Sequence, residues 1–299
     1  MFTFPQSGVE TWWWLPGLVA FIVSFFTSTG GISGAFILLP FQVSILGFNS
    51  PAVSPTNLLY NVIAIPGGVY RFIREKRMLW PLAITIVVGT APGLIIGAWL
   101  RVTYLLRPRN FKLFVGLVLF YILVRLVKDI ISKRSEINKG PAVKSHFDVK
   151  PKQFNLRIIS FEFADNEYAI STIMVFLLTL IVGIIGGAYG IGGGAIVAPF
   201  LVAFFGLPVY VAAGPALFGT FFTSIGGIFV YTWLLPHMMP GQAPVNPDWL
   251  LGLSMGVGGF LGIYLGARLQ RYLPARAIKI ILAISIAVVV GKYIIGFFA

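Results

Sequence analysis

Two glycine-rich stretches interrupt apolar sequence and carry residue types that could form a binding site. The second, GGAYGIGGGA at residues 186–195, has six glycines in its first nine positions, and the first, TSTGGISGA, occupies residues 27–35. A glycine inside a helix costs about 1 kcal/mol relative to alanine, and hydrocarbon offers no water to the backbone groups that a break frees. The two stretches therefore predict helix breaks that face protein or a polar cavity.

An apolar run follows each break and predicts a helix whose N-terminus lies at membrane depth. The N–H groups of a first helical turn have no partner inside the helix, and the helix dipole adds about half a positive charge there. Two such ends would bind an anion without a buried Lys or Arg. Close helix packing through small residues is the alternative explanation of the glycines. A phosphate-binding nucleotide loop does not fit, because no Lys-Ser or Lys-Thr pair follows them.

Polar side chains near the breaks complete the candidate site. Asn57 and Asn61 are four residues apart and share one helix face, so they line a cavity or bond a neighbouring helix. A lone Ser or Thr in a membrane helix more often bonds the carbonyl four residues before it. The predicted substrate-binding residues are Gly30, Gly31, Ser33, Gly34, Asn57, Asn61, Tyr189, Gly190, Gly192, Gly193, Gly194, Thr220 and Thr223.

The acidic residues argue against several classes of protein. All nine lie in predicted loops or at predicted helix ends. Cation carriers and proton pumps use buried carboxylates, so this distribution favours an anionic substrate. The chain has no Cys, and its His, Asp and Glu residues have neither metal-ligand spacing nor the arrangement of a catalytic triad. We therefore expect no catalytic residue, no metal, no cofactor and no enzymatic activity.

Long apolar segments position these residues in a membrane. The 299 residues are 58% hydrophobic and 10% charged, with a mean hydropathy of +0.91. The net charge of +13 comes from short Lys and Arg runs beside apolar segments, which fits positive helix flanks and not nucleic-acid binding. Arg101 and Arg268 end their helices and are expected to extend to the interface.

The expected fold is an all-α polytopic membrane protein. A crossing helix needs about 20 apolar residues, and two shorter apolar segments follow the glycine breaks. The protein therefore has eight transmembrane helices, or ten if the short segments also cross. The long segments lie near 12–28, 53–70, 79–100, 111–127, 169–188, 209–235, 248–267 and 277–298, and the short ones at 32–47 and 194–206.

The chain divides into two similar halves around one polar segment. GISGAFILLPF at 31–41 aligns with GIGGGAIVAPF at 190–200, and GLIIGAWL at 93–100 aligns with GIYLGARL at 262–269. Matching blocks in the same order predict an internal duplication. The predicted units are a first membrane repeat (1–131), a basic cytoplasmic linker (132–167) and a second membrane repeat (168–299).

The distribution of Lys and Arg predicts the orientation. The linker and residues 71–77 are basic and are expected in the cytoplasm, whereas residues 236–248 have no Lys or Arg and are expected outside. Because 71–77 corresponds to 236–248, this requires inverted halves with five crossings each, although 101–112 would then be external with four basic residues. If the short segments are re-entrant, eight crossings and a parallel repeat result. We expect a multi-pass protein of the plasma membrane whose partners are lipid and a small anion. The sequence carries no signal of its oligomeric state.

The second glycine block, the stretch SPTNLLYNV at 54–62 and the basic linker between two helical halves resemble the TauE/SafE family of sulfite and organosulfur-compound exporters. The first glycine block departs from the pattern, with Ser33 and Ala35 where the second has Gly192 and Gly194. The resemblance implies a carrier for sulfur-containing anions such as sulfite or sulfonates. Our hypothesis is a secondary transporter in which the two breaks meet near the midplane and one half moves against the other. An anion channel or a non-transporting membrane receptor is the alternative.

Overall fold

The computed structural model describes most of the chain. The described residues are 1–28, 32–131, 149–164, 166–239 and 243–269, together with 280, 283–284, 286–287 and 290–291. Within them the chain is mostly helical, and helices occur at the predicted apolar segments from the first to the one at 248–267.

The first half forms five helices. Pro81 lies in the first turn of the fourth, where its missing N–H leaves no helical bond unmade. Pro40, Pro66 and Pro92 lie inside helices, as membrane helices permit where neighbouring groups bond the freed carbonyls. The helices are α1 (Leu15–Ser28), α2 (Ala35–Ser44), α3 (Val53–Arg74), α4 (Trp80–Thr103) and α5 (Pro108–Ile131).

The second half follows a similar order. A 3₁₀ turn at Gly193–Ile196 precedes its second helix, and a π-helical turn at Val230–Leu234 continues its third. The helices are α6 (Thr172–Tyr189), α7 (Val197–Phe205), α8 (Val209–Phe229), α9 (Leu235–Met238) and α10 (Trp249–Leu269). Among the described residues, four helices are long and apolar enough to cross a membrane: α4, α6, the continuous Val209–Met238 helix and α10.

Two small antiparallel sheets correct the all-α prediction. In the larger sheet the central strand alternates exposed and buried residues, as expected for a strand with one covered face. The boundary predicted at 167 falls inside the last strand, so part of the predicted linker is folded. The sheets are β1 (Phe2–Thr3) with β2 (Glu10–Thr11), and β3 (Lys150–Phe154) with β4 (Ile158–Phe163) and β5 (Asn166–Ser171).

Hydrogen bonds between distant segments define two ends of the helix bundle. At one end the Ser7 N–H donates to Asp248 Oδ2 (2.8 Å), and the Asp248 N–H donates to Thr56 Oγ1 (2.8 Å). These bonds join the segment before α1 to the starts of α3 and α10. At the other end the Val149 N–H donates to the Lys76 carbonyl (3.1 Å), which joins β3 to the end of α3. We call these the Asp248 end and the Lys76 end.

Close contacts at glycines bring the backbones of two helix pairs together and fix their directions. In α1 and α10, Gly17 lies against Ser254 and Phe25 against Gly266, so the two helices are parallel. In α4 and α6, Gly89 lies against Thr179 and Gly97 against Ile184, so this pair is parallel as well. A Cβ atom added at Gly97 would overlap the Ile184 carbonyl oxygen. Glycine is therefore needed for this helix spacing.

The helices form two groups that meet mainly along α3 and α8. The first helix group contains α1, α2, α3 and α10, and the second contains α4, α6, α7 and α8. α3 and α8 are antiparallel, because Gly68 lies beside Leu217 near the start of α8 and Leu58 lies beside Gly227 near its end. Thus α1, α3 and α10 run from the Asp248 end to the Lys76 end, and α4, α6 and α8 run the opposite way.

Alanine at two helical glycines should have opposite effects on stability. Gly97→Ala places a methyl group against backbone, and we expect it to lower the free energy of unfolding by about 1–3 kcal/mol. In the matched variant Gly226→Ala the new methyl group has its nearest neighbour at 3.5 Å, and helix propensity should stabilise the protein by up to about 1 kcal/mol. Unfolding in detergent measures both, and equal stabilities would contradict the packing described.

Candidate substrate-binding site

The second glycine break is a buried, bonded turn between α6 and α7. Gly190 has φ 77° and its N–H donates to the Gly186 carbonyl (2.9 Å), which ends α6 in a left-handed cap. Gly192 has φ 75°, which side chains rarely adopt. A Cβ at Gly194 would overlap the backbone of α8 at Ala216 and Thr220. Conformation and packing thus account for these glycines without a ligand, so the packing explanation holds at these positions.

Asn57 connects the two breaks. Its Nδ2 donates to the Ala35 carbonyl (3.0 Å), at the start of α2, and to the Gly190 carbonyl (2.9 Å). The Tyr189 hydroxyl also crosses between the breaks and donates to the Phe36 carbonyl (2.8 Å). Asn57 and Tyr189 are buried. The starts of α2 and of the second break therefore lie side by side.

The bonds of Asn57 fix the orientation of Gln42. Because Asn57 Nδ2 faces two carbonyls, its Oδ1 is the acceptor and receives the bond from Gln42 Nε2 (3.1 Å). Gln42 Oε1 then points the other way, and it is buried without a hydrogen-bond partner among the described residues. A buried unpaired carbonyl oxygen costs about 1–3 kcal/mol.

Asn61 bonds the next carbonyl of the break. Its Nδ2 donates to the Ile191 carbonyl (2.8 Å) and to Ser224 Oγ (3.2 Å). Asn61 Oδ1 and Ser33 Oγ are buried and have no partner among the described residues. Among the described side chains near the breaks, the unpaired groups are thus two amide oxygens and one hydroxyl.

The two threonines of α8 differ in what they bond. Thr220 Oγ1 donates to the Ala216 carbonyl (2.8 Å), four residues before it. Thr223 Oγ1 donates to the Gly219 carbonyl (2.7 Å) and accepts the Gly193 N–H (3.1 Å). The Gly193 N–H, which the sequence analysis predicted to bind an anion, therefore bonds Thr223 instead.

The structure brings most of the predicted residues together. Asn57, Asn61, Tyr189 and Gly190 belong to one bonded network, whereas Thr220 bonds only its own helix. In the first break, Gly34 packs against the Tyr60 hydroxyl. Gly30 and Gly31 lie outside the described residues. Substrate contact by any of these residues stays a prediction.

Arg101 does not extend to the interface as expected. Only 1% of it is exposed, because the first turn of α3 and the start of α5 cover the end of α4. Its Nε donates to Ser54 Oγ (3.2 Å), its Nη1 donates to the Leu105 carbonyl, and its guanidinium lies 3.8 Å from the centre of the Phe111 ring. Arg268, by contrast, is exposed.

Sequence reasoning missed Gln42 and Arg101. Gln42 was visible as a lone amide in the apolar run FILLPFQVS, a signal as strong as that of Asn57. Arg101 gave no usable signal, because an arginine in a last helical turn looks the same whether or not a following loop covers it. Among the described residues, no group of His, Cys, Asp and Glu could hold a metal ion.

Replacing Asn57 tests whether it holds the breaks together. Asn57→Leu would leave the Gly190 carbonyl and Gln42 Nε2 unpaired, and at about 1–3 kcal/mol each the free energy of unfolding should fall by at least about 2 kcal/mol. In the exposed control Asn49→Leu we expect a change of about 0.5 kcal/mol or less. Unfolding in detergent measures both, and a small effect at Asn57 would contradict its bridging role.

Several known membrane proteins are similar to this chain in sequence. The "Probable membrane transporter protein YunE" of Bacillus subtilis (strain 168) is 26% identical over 236 residues, covering 78% of this chain and 77% of that protein. The "Probable membrane transporter protein YdhB" of the same organism is 31% identical over 102 residues, or 34% of this chain and 38% of that protein. The "Probable membrane transporter protein MJ0441" of Methanocaldococcus jannaschii is 32% identical over 105 residues, or 33% and 34%. No solved structure matches this chain.

A family model covers almost the whole protein. The model described as "Sulfite exporter TauE/SafE" matches residues 17–293, which include both glycine breaks and α1 to α10 from Gly17 onward. Its relatives are membrane transporters by name, in agreement with the four apolar helices long enough to cross a bilayer. This chain belongs to the sulfite exporter TauE/SafE family and is a membrane transporter.

Proposed function

We propose that the protein is a secondary transporter that moves small sulfur-containing anions across the plasma membrane. The observation that carries the proposal is the junction of two glycine-broken segments through Asn57, inside the membrane part of the protein. Secondary transporters bind substrate where broken helices from two repeats meet. The family description names sulfite export, and sulfite and sulfonates share an anionic oxygen head.

An inverted repeat of five crossings per half is part of the proposal. Its support is the helix directions: α1 and α6 occupy equivalent places in the two halves and run oppositely, as do α3 and α8, and α4 and α10. Since α1 and α3 run the same way, the chain must return across the membrane through the break and α2. The same holds for α7 between α6 and α8. These returns favour ten crossings over eight.

Alternating access in this proposal moves one helix group against the other. Sequence reasoning expected half to move against half, but α1–α10 and α4–α6 join the two halves by backbone contacts. The boundary along α3 and α8 has side-chain contacts instead, such as Leu58 beside Gly227. The bonds of Asn57 and Asn61 to the second break cross this same boundary, so movement along it would open the candidate site.

The Lys76 end is the cytoplasmic end in this proposal. Arg71, Arg74 and Lys76 lie there, and the basic linker joins the bundle at the same end through Val149. Four basic residues of 101–112 count against this orientation, but one of them, Arg101, is buried in the protein, whereas Arg107 and Arg109 are exposed at the Asp248 end. The positive-inside rule therefore favours the Lys76 end inside.

Flux measurements test the substrate class. In proteoliposomes we expect saturable flux of sulfite or a sulfonate, with no ionic current as large as a channel would carry. Empty liposomes and the Asn61→Leu variant, which removes a donor at the boundary, are the controls and should both show little flux. Large currents would favour an anion channel, and anion binding without flux would favour a receptor. Either result would contradict a carrier.

Cross-linking in the same flux assay tests whether the two helix groups move against each other. The chain has no Cys, so a Leu58→Cys, Gly227→Cys pair can be joined across the boundary by a thiol cross-linker. We expect linking to stop flux and reversal to restore it. The matched pair Gly17→Cys and Ser254→Cys lies within the first helix group and should keep flux when linked. Equal flux in both linked pairs would contradict movement along α3 and α8.

Thiol labelling tests the orientation. Asn246 and Lys150 are exposed at the Asp248 end and the Lys76 end, respectively. In intact cells a membrane-impermeant thiol reagent should label Asn246→Cys directly, and Lys150→Cys only after permeabilisation. The reverse pattern would place the Lys76 end outside.

A further inference from the structure

Arg101 is a buried cation that no carboxylate in the described part of the chain neutralises. Its exposed fraction is 1%, and none of the ion pairs among the described residues includes it. A charged side chain in a membrane protein is costly unless it is paired or faces a water-filled path. The described partners of Arg101 are Ser54 Oγ, the Leu105 carbonyl, the Phe111 ring and the nearby Tyr231 phenol, none of which is a carboxylate.

The guanidinium has donors to spare. It carries five N–H groups, and its bonds to described residues are those to Ser54 Oγ and the Leu105 carbonyl. Phe111 covers one face of its plane at 3.8 Å. An arginine held by its face keeps the edge that binds oxyanions with two parallel hydrogen bonds.

Arg77 shows how the same chain treats a buried arginine at the Lys76 end. It is 2% exposed and stacks near Phe72 and Tyr210, but Glu75 Oε2 lies 2.9 Å from its Nη1. Burial lowers the pKa of Arg77, and the bond to Glu75 opposes that shift. Of these two buried arginines, the one with an internal counter-ion is at the Lys76 end and the one without is at the Asp248 end.

Arg101 also lies at the boundary between the helix groups, next to the second break. It belongs to the second group, and its partner Ser54 belongs to the first. A Cβ atom added at Gly190 would lie 2.5 Å from Ser54 Cα. The Phe111 and Tyr189 rings pack edge to face, with their centres 6.4 Å apart. Ser54 therefore lies between the guanidinium and Gly190, and Phe111 lies between the guanidinium and Tyr189.

We propose that Arg101 binds the anionic head of an oxyanion substrate at the Asp248 end of the transport path. The substrate supplies the negative charge that the described residues around Arg101 do not, and the Arg101–Ser54 bond opens with the boundary to admit it. This assignment rests on the proposed transport function. It adds a charged residue to a site that the sequence predicted to work with backbone dipoles alone.

Anion-dependent thermal unfolding tests the proposal. The melting temperature of purified protein is measured against sulfite, sulfate, phosphate and methanesulfonate, with chloride keeping the ionic strength constant, which gives an apparent Kd. Arg101→Gln should raise the Kd of the preferred oxyanion by about 10- to 100-fold, because a charge-assisted bond pair is lost. Arg101→Lys keeps the positive charge but loses the planar guanidinium that can donate two parallel hydrogen bonds, and we expect its Kd to rise by about tenfold.

Arg268→Gln is the matched control, because this arginine ends α10 and is exposed. Its Kd should equal that of the wild type. An unchanged Kd in Arg101→Gln, or a wild type that no oxyanion stabilises, would overturn the proposal. If Arg101→Gln does not fold, Arg101→Lys decides: an unchanged Kd overturns the proposal, and a raised Kd with a raised KM supports it.

The outcomes separate this site from the transport function. Wild-type protein that binds phosphate through Arg101 but moves no sulfur anion would keep the Arg101 site and contradict the substrate class. Sulfite flux with the same KM in Arg101→Gln and wild type would keep the function and remove Arg101 from it.

Discussion

Backbone carbonyls freed by helix breaks must be bonded inside the protein, since hydrocarbon offers them no donor. Here the donors are side-chain amides of α3. Asn57 bonds the Gly190 carbonyl of the second break and also the Ala35 carbonyl in the first turn of α2, and Asn61 bonds the Ile191 carbonyl of the second break. α3 is therefore held against both breaks at once. α8 packs behind the second break and lies antiparallel beside α3.

Two kinds of contact divide the bundle. Glycines let backbones meet between α1 and α10 and between α4 and α6, where dispersion contacts are dense and any gap would lose them. Between the two helix groups, the network around the breaks is mainly one of hydrogen bonds, including Asn61 to Ser224 and Tyr189 to Phe36, beside one close backbone approach of Gly190 to Ser54. Hydrogen bonds can be exchanged for bonds to a ligand or water, whereas backbone contact cannot. The boundary between groups is thus the place where this fold could open.

The sequence predicted the helices and the importance of the asparagine pair for physical reasons. Long apolar segments have one stable state in a bilayer, and two amides on one helix face must find partners. The same reasoning left two uses for the amides open, and the structure has them bonding neighbouring segments. It failed for β3 to β5, because the linker was judged by its overall polar composition, although Ile159, Phe161 and Phe163 alternate with other residues as in a half-buried strand. It failed for Arg101 because burial depends on which loop covers a helix end.

The polar groups near the breaks and those at the Asp248 end differ in how well they can bind an anion. Near the breaks the amide N–H groups of Asn57 and Asn61 already bond carbonyls, and the unpaired atoms include two amide oxygens, which repel an anion. Of the two buried arginines in the described part of the chain, the one without a carboxylate partner, Arg101, lies at the Asp248 end. In the proposed cycle an anion held by Arg101 must therefore take amide donors from the Gly190 and Ile191 carbonyls before it passes. Separation of the two helix groups breaks those same bonds, so opening of the site and release of its donors are one event.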